Sequence, residues 1–264
     1  MKTIPMYQTP AGIASQPARI RIRSARKPDA GPTGNRLLEQ FERQDLRSIE
    51  EQAVRVTLVK GDTIARPGED IPFVDFPIDA VVSHYQILKD GKTVEIAMTG
   101  REGALGVPAA LRQGVSKEFS EVLVGGEVYR IDASYLRGLA ERSANLRSVF
   151  FGYFNECLDR VSRRVICNNY HSVEERLCLW LMLVRDRCGV DSLPFTQEQV
   201  SFFLGVHRPS VTLAMQDLRK QGIVDYSRGT VHVRKPSALI ELSCSCYSSL
   251  SVRPADAPGS YFGE

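Results

Sequence analysis

The 264-residue chain sets 34 Lys and Arg against 31 Asp and Glu, a formal charge of +3, with 43% hydrophobic and 25% charged residues. This composition excludes a wholly unfolded chain and leaves room for two modest domains with separate cores. The net charge is too small to identify a partner, because phosphate binding needs a local basic surface more than an overall excess. Cysteines at 157, 167, 178, 188, 244 and 246 all fall in the second half, and a chain of this size does not need bridges to fold. No apolar run approaches the roughly 18 residues that cross a bilayer, and the Arg-rich start lacks the apolar core of an export signal. A cytoplasmic location with no membrane partner is expected.

Residues 1–33 carry Arg19, Arg21, Arg23, Arg26 and Lys27 among Pro, Gly, Ser and Ala without helical or strand period, the pattern of a disordered basic arm. A small β-barrel or jelly roll is expected over residues 34–132. Leu37, Leu38, Phe41, Leu46 and Ile49 suit a short amphipathic helix leading into it. Strand-like stretches follow at 54–59, 80–88, 93–98 and 121–131, and Lys89-Asp90-Gly91-Lys92 supplies a hairpin turn.

Helical spacing takes over across residues 133–168, through Leu136 and Leu139 to about Ile166. Leu146, Phe150, Tyr153 and Cys157 alternate steps of four and three, a narrow seam that Val161 extends, suited to pairing two subunits or to packing on the chain's own barrel. Ser172 and Glu175 form a capping-box pattern ahead of an apolar helix at 177–184.

Residues 169–247 read as a winged helix-turn-helix, with a flexible tail at 248–264. Thr196 can cap a short helix that ends at Gly205, and Pro209 suits the first turn of a second helix. The segments 223–226 and 230–233 alternate around Ser227-Arg228-Gly229, forming a hairpin wing tipped by Arg228. In such a motif the second helix enters the major groove of double-stranded DNA with its N-terminal residues against base edges. Arg208 is the candidate base reader, because a guanidinium can donate two hydrogen bonds to guanine. His207, Ser210 and Thr212 offer shorter contacts, and Arg228 and Lys220 add phosphate attraction.

This order of barrel, long helix, helix-turn-helix and wing resembles the Crp/Fnr family of bacterial transcription regulators over roughly residues 45–247. The stretches 76–83, 90–97 and 100–103 resemble that family's barrel, while 196–205, 208–212 and the wing resemble its DNA-binding half. Cys244-Ser245-Cys246-Tyr247 is similar to an ending found in a subset of members. The resemblance implies an α+β chain that regulates transcription as a homodimer, with RNA polymerase and an unidentified small-molecule effector as further candidate partners. Family barrels can bind cyclic nucleotide through an Arg-Ser or Arg-Thr pair. Here Ser116-Lys117-Glu118 stands in that place, and Glu118 and Glu121 would repel the anion, so no such cofactor is expected. The second helix has Arg208-Pro209 and then Leu213, where the family often has Arg-Glu and a second Arg, so a different operator is expected.

No iron–sulfur cluster is expected, because no cysteine precedes Cys157. A lone His84 in a strand does not argue for haem. A cupin-like enzyme would need clustered metal ligands, and His84, His171, His207 and His232 are scattered, so neither catalytic nor metal residues are assigned. A thiol- or metal-responsive regulator remains an alternative through Cys244 and Cys246, which alone supply at most half a tetrahedral site. Cys167 and Cys178 read as buried helix residues.

Overall fold

The computed structural model describes residues 25–26, 34–91, 93–112 and 114–252. The chain divides into two compact units, residues 1–154 and 155–264. In chain order the first contains β1 (Ala25–Arg26), a 3-10 turn (Leu38–Gln40), α1 (Arg43–Gln52), β2 (Val54–Leu58), β3 (Thr63–Ala65), β4 (Phe73–Pro77), β5 (Val81–Ile87), β6 (Thr93–Thr99), α2 (Val107–Leu111), β7 (Phe119–Val124), β8 (Gly126–Asp132), α3 (Ala133–Arg142) and the start of α4 (Ala144–Tyr170). The strands form two antiparallel four-stranded sheets, ordered β1-β2-β8-β4 and β3-β7-β5-β6. Val56, Leu58, Val82, Leu105, Val122 and Val128 make a shared core, as the alternation of apolar residues along these strands demands. The expected basic arm lies outside the described residues apart from β1, which pairs with β2.

The apolar stretch at 121–131 divides into two strands belonging to different sheets. The break falls at Gly125-Gly126, where a Cβ on Gly126 would stand 2.6 Å from the Ala80 backbone nitrogen and closer still to Asp79 Oδ1. That carboxylate accepts the Glu127 N–H at 2.6 Å, so the close approach also fixes the corner. Gly126→Ala should therefore lower unfolding stability by about 1–3 kcal/mol in urea titration, the usual cost of overpacking a site that cannot give way.

The expected long helix is likewise two, interrupted at Ser143 in extended geometry (φ −103°, ψ 117°). The Ser143 hydroxyl accepts the Leu146 N–H at 3.0 Å and donates to the Asp45 carboxylate. A side chain that satisfies an orphan donor starts α4 afresh.

Leu146, Phe150 and Tyr153 are buried in the first unit's own core. Phe150 meets Phe41 edge-on at 5.5 Å between ring centroids, and the Tyr153 hydroxyl donates to the Ala104 carbonyl at 3.1 Å. Packing within their own unit covers these three, whereas Cys157 and Val161 are half-exposed.

The second unit continues from α4 through α5 (Val173–Cys188), β9 (Ser192–Leu193), α6 (Gln197–Leu204), α7 (Arg208–Lys220), β10 (Val224–Ser227), β11 (Thr230–Val233), α8 (Pro236–Leu242) and α9 (Cys246–Leu250). Helix α5 is its central element: every residue from Leu177 to Val184 is buried, and Trp180 stacks on Phe203 at 5.4 Å and meets Phe195 edge-on at 5.1 Å. The capping box expected at Ser172 and Glu175 is present. Leu250 and Val252 are buried, which carries ordered structure past residue 248, where a flexible tail was expected; residues 253–264 lie outside the described part of the chain.

Candidate DNA interface

Helix α6 begins with a reciprocal capping box in which the Thr196 hydroxyl accepts the Gln199 N–H at 3.1 Å and the Gln199 side chain accepts the Thr196 N–H at 3.1 Å. It ends at Gly205, whose left-handed geometry (φ 64°) turns the chain toward α7. Val200, Leu204, Val211, Ala214, Met215 and Leu218 are buried. Thr212 donates to Gln197 Oε1 at 2.8 Å, so its hydroxyl braces one helix against the other.

The opposite side of α7 faces outward. His207, Arg208, Pro209, Leu213, Gln216 and Lys220 are exposed, with Ser210 and Thr212 half-exposed. Among the described residues no ion pair or hydrogen bond engages the Arg208 side chain, which projects from the helix's first turn, where the backbone dipole also favours an anion. Lys220 is paired with Asp217 at 2.9 Å, which leaves it the weaker contributor of phosphate attraction. Gln216 escaped sequence reasoning because a lone Gln carries no motif. Placed two turns beyond Arg208 on the outward face, its amide can donate to and accept from an adenine edge.

The wing is a three-stranded sheet, β10-β11-β9, with Ser227 opposite Thr230 and a two-residue turn between them. Arg228 adopts positive φ (47°), as does Gly229 (76°). That pair of backbone angles matches the hairpin turn whose twist suits flanking strands, and it leaves Arg228 exposed at the tip. A bulky residue here costs about 1 kcal/mol relative to Gly, so a long cation is held where local geometry prefers none.

Residues 175–242 match a family model for the Crp-like helix-turn-helix domain. The C-terminal unit therefore contains a Crp-like helix-turn-helix domain. The fold, a strand-rich unit followed in the chain by this helix-turn-helix unit, is similar to that of solved Crp/Fnr regulators. FixK2 from Bradyrhizobium japonicum is similar at TM-score 0.61 and 18% identity, over 73% of this chain and 98% of that one. A CRP-family transcriptional regulator from Thermus thermophilus gives 0.59 and 15%, over 71% and 95%. The c-di-GMP-responsive regulator CLP from Xanthomonas campestris gives 0.58 and 13%, over 73% and 99%. No curated protein matches the sequence.

The strand-rich unit carries hydrogen-bonded acidic side chains. On the sheet face that also presents Val82 and Val122, His84 Nδ1 lies 2.9 Å from Glu118 Oε1 and 3.0 Å from Ser120 Oγ, while Nε2 lies 2.9 Å from Thr99 Oγ1. Glu121 accepts from the Tyr85 hydroxyl at 3.3 Å, and burial pushes its carboxyl above the usual range. No described helix is long and apolar enough to cross a membrane.

Away from the Crp-like reading surface, four ligand-bearing side chains of the second unit converge: Cys167, His171, Cys244 and Cys246. Sequence reasoning found only the Cys244-Cys246 half, because Cys167 lies 77 residues before Cys244 in the chain. The Cys167 and Cys244 thiols share one hydrogen bond, which holds the Cys244 thiol well below its ordinary range and pushes Cys167 upward.

Proposed function

We propose that the chain is a sequence-specific transcription regulator that binds double-stranded DNA as a homodimer. Each copy inserts the start of α7 into successive major-groove turns of a near-palindromic site. The observation that carries this reading is Arg208, exposed and unpaired among the described residues at the first turn of α7 while the helix's other face is buried in the domain core. Arg208 reads guanine, Gln216 is the second base-edge reader, and His207 and Ser210 with the wing's Arg228 hold the phosphates. Pro209 and Leu213 give an operator unlike one read by an Arg-Glu…Arg helix; exposed Leu213 suits a thymine methyl.

The strand-rich unit does not take cyclic nucleotide in this reading. The Glu118 carboxylate beside His84 opposes a cyclic phosphate, and Lys117 lacks the planar fork that grips one. An effector of other chemistry would act by shifting the paired α4 helices and with them the spacing of the readers.

The test begins with selection of bound genomic fragments. On the operator so defined, Arg208→Ala should weaken binding by about 1–3 kcal/mol, roughly 5- to 150-fold, and relax preference at one base pair per half-site. Affinity for unrelated duplex should fall far less. Operator affinity equal to that of the unsubstituted chain would reject the base-reading role.

A further inference from the structure

We infer that Cys167, His171, Cys244 and Cys246 form a closed site for one zinc-class divalent ion inside the DNA-binding unit. The four ligand atoms all lie within 4.8 Å of one another. Cys167 Sγ and Cys244 Sγ are 3.6 Å apart, and Cys246 Sγ is 3.7 Å from His171 Nδ1. A tetrahedral ion with metal–sulfur bonds near 2.3 Å and metal–nitrogen bonds near 2.0 Å requires sulfur–sulfur separations of about 3.8 Å and sulfur–nitrogen separations of about 3.6 Å. The two measured pairs stand at that spacing. A disulfide needs its sulfurs about 2.05 Å apart, so these thiols are placed for a shared ion and not for a bond to each other.

The local fold builds the cluster from two rigid pieces. Cys167 and His171 are four residues apart at the end of α4, one turn above the other, and the His171 N–H donates to the Cys167 carbonyl at 3.1 Å. Cys244 follows α8 and Cys246 opens α9, and the Tyr247 N–H donates to the Cys244 carbonyl at 3.0 Å. The Tyr247 hydroxyl anchors the segment to Asp186 at 2.9 Å. All three thiols are buried and His171 is half-buried, so no position is left open for water and the site is of the structural type.

Charge and donor chemistry select the ion. Three thiolates and one neutral imidazole around a divalent cation leave one negative charge, and the guanidinium groups of Arg163 and Arg176 act on these same thiols. The nitrogen–sulfur set favours zinc over magnesium or calcium, which take oxygen. Ligands packed this closely suit a single ion, since thiolates around an iron–sulfur cluster bind separate irons. Binding displaces the remaining thiol protons and ties the end of α4 to the segment following α8.

The site is tested without DNA, so its failure is separable from that of the DNA-binding reading. The reduced full-length chain, stripped of metal, should take up about one equivalent of Zn²⁺ or Co²⁺, and the cobalt form should show thiolate charge-transfer absorption with the intense visible bands of tetrahedral geometry. Cys244→Ser and Cys246→Ser should each weaken uptake by at least about 100-fold, while Cys157→Ser binds as before. His171→Cys should keep the ion and shift the cobalt bands toward those of an all-sulfur site. No tetrahedral cobalt spectrum from the reduced unsubstituted chain would overturn the proposal whether or not any variant folds. It also fails if uptake survives both serine substitutions, or if Cys167 and Cys244 are disulfide-linked as purified and reduction restores no metal binding.

Discussion

Asp75→Ala should destabilise the strand-rich unit by about 3–5 kcal/mol, a large share of the roughly 5–15 kcal/mol that holds an ordinary domain folded. Asp75 and Arg130 sit directly opposite each other on β4 and β8. The guanidinium grips the carboxylate with two bonds, Nε to Oδ1 at 2.7 Å and Nη2 to Oδ2 at 2.6 Å, and both residues are buried. The Phe73 ring lies under the guanidinium at 5.0 Å to its centroid. Removing the carboxylate strands a cation where water cannot reach it, and that desolvation is the larger part of the loss. Denaturant unfolding followed by tryptophan-independent circular dichroism measures the effect, since Trp180 belongs to the other unit. The double variant Asp75→Leu with Arg130→Met should recover much of the stability, because an apolar pair leaves no charge unmatched. If the double variant were no better than Asp75→Ala, the loss would belong to packing and not to the orphaned cation.

The two units were not equally legible in the sequence. Capping boxes at Ser172 and Thr196, the left-handed Gly205 and the two-residue turn at Arg228-Gly229 are local devices, each decided by residues within a few positions of one another. Sequence reasoning therefore placed α5, α6, α7 and the wing close to where they lie. Apart from Gln216, what the sequence left unread involves partners distant in the chain. Gly126 is a corner because Ala80 passes beside it, and nothing adjacent to Gly126 announces that approach. Leu146, Phe150 and Tyr153 share the three-four alternation of a subunit seam, but Phe41 and Ala104 occupy that face. Periodicity identifies an apolar stripe without naming what covers it. The ligand cluster was half visible for the same reason, since Cys244-Ser245-Cys246 is local and Cys167 is not.

With Leu146, Phe150 and Tyr153 covered inside their own unit, the proposed dimer contact is placed one residue around α4, and Leu158→Glu tests that position. Phe151, Phe154, Leu158, Val161 and Val165 repeat the three-four alternation on the neighbouring face. Phe151, Leu158 and Val165 are 60%, 66% and 58% exposed, an apolar row that a lone helix would not keep in water without something to cover it. In the proposed homodimer a second copy of α4 would supply a matching row, because a two-fold axis brings each stripe against itself. Glutamate at 158 places two like charges across that axis in an apolar seam. The chain should become monomeric in sedimentation at micromolar concentration. Operator affinity should fall by about 100-fold or more, since each half-site then binds alone and the effective concentration supplied by linkage is lost. Asp159→Ala, exposed one residue off the stripe, should leave both measurements unchanged. A Leu158→Glu chain that still sediments as a dimer would place the contact elsewhere. A monomeric unsubstituted chain that binds its palindromic site at full strength would remove the need for a seam, because each Arg208 would then be reading its half-site independently.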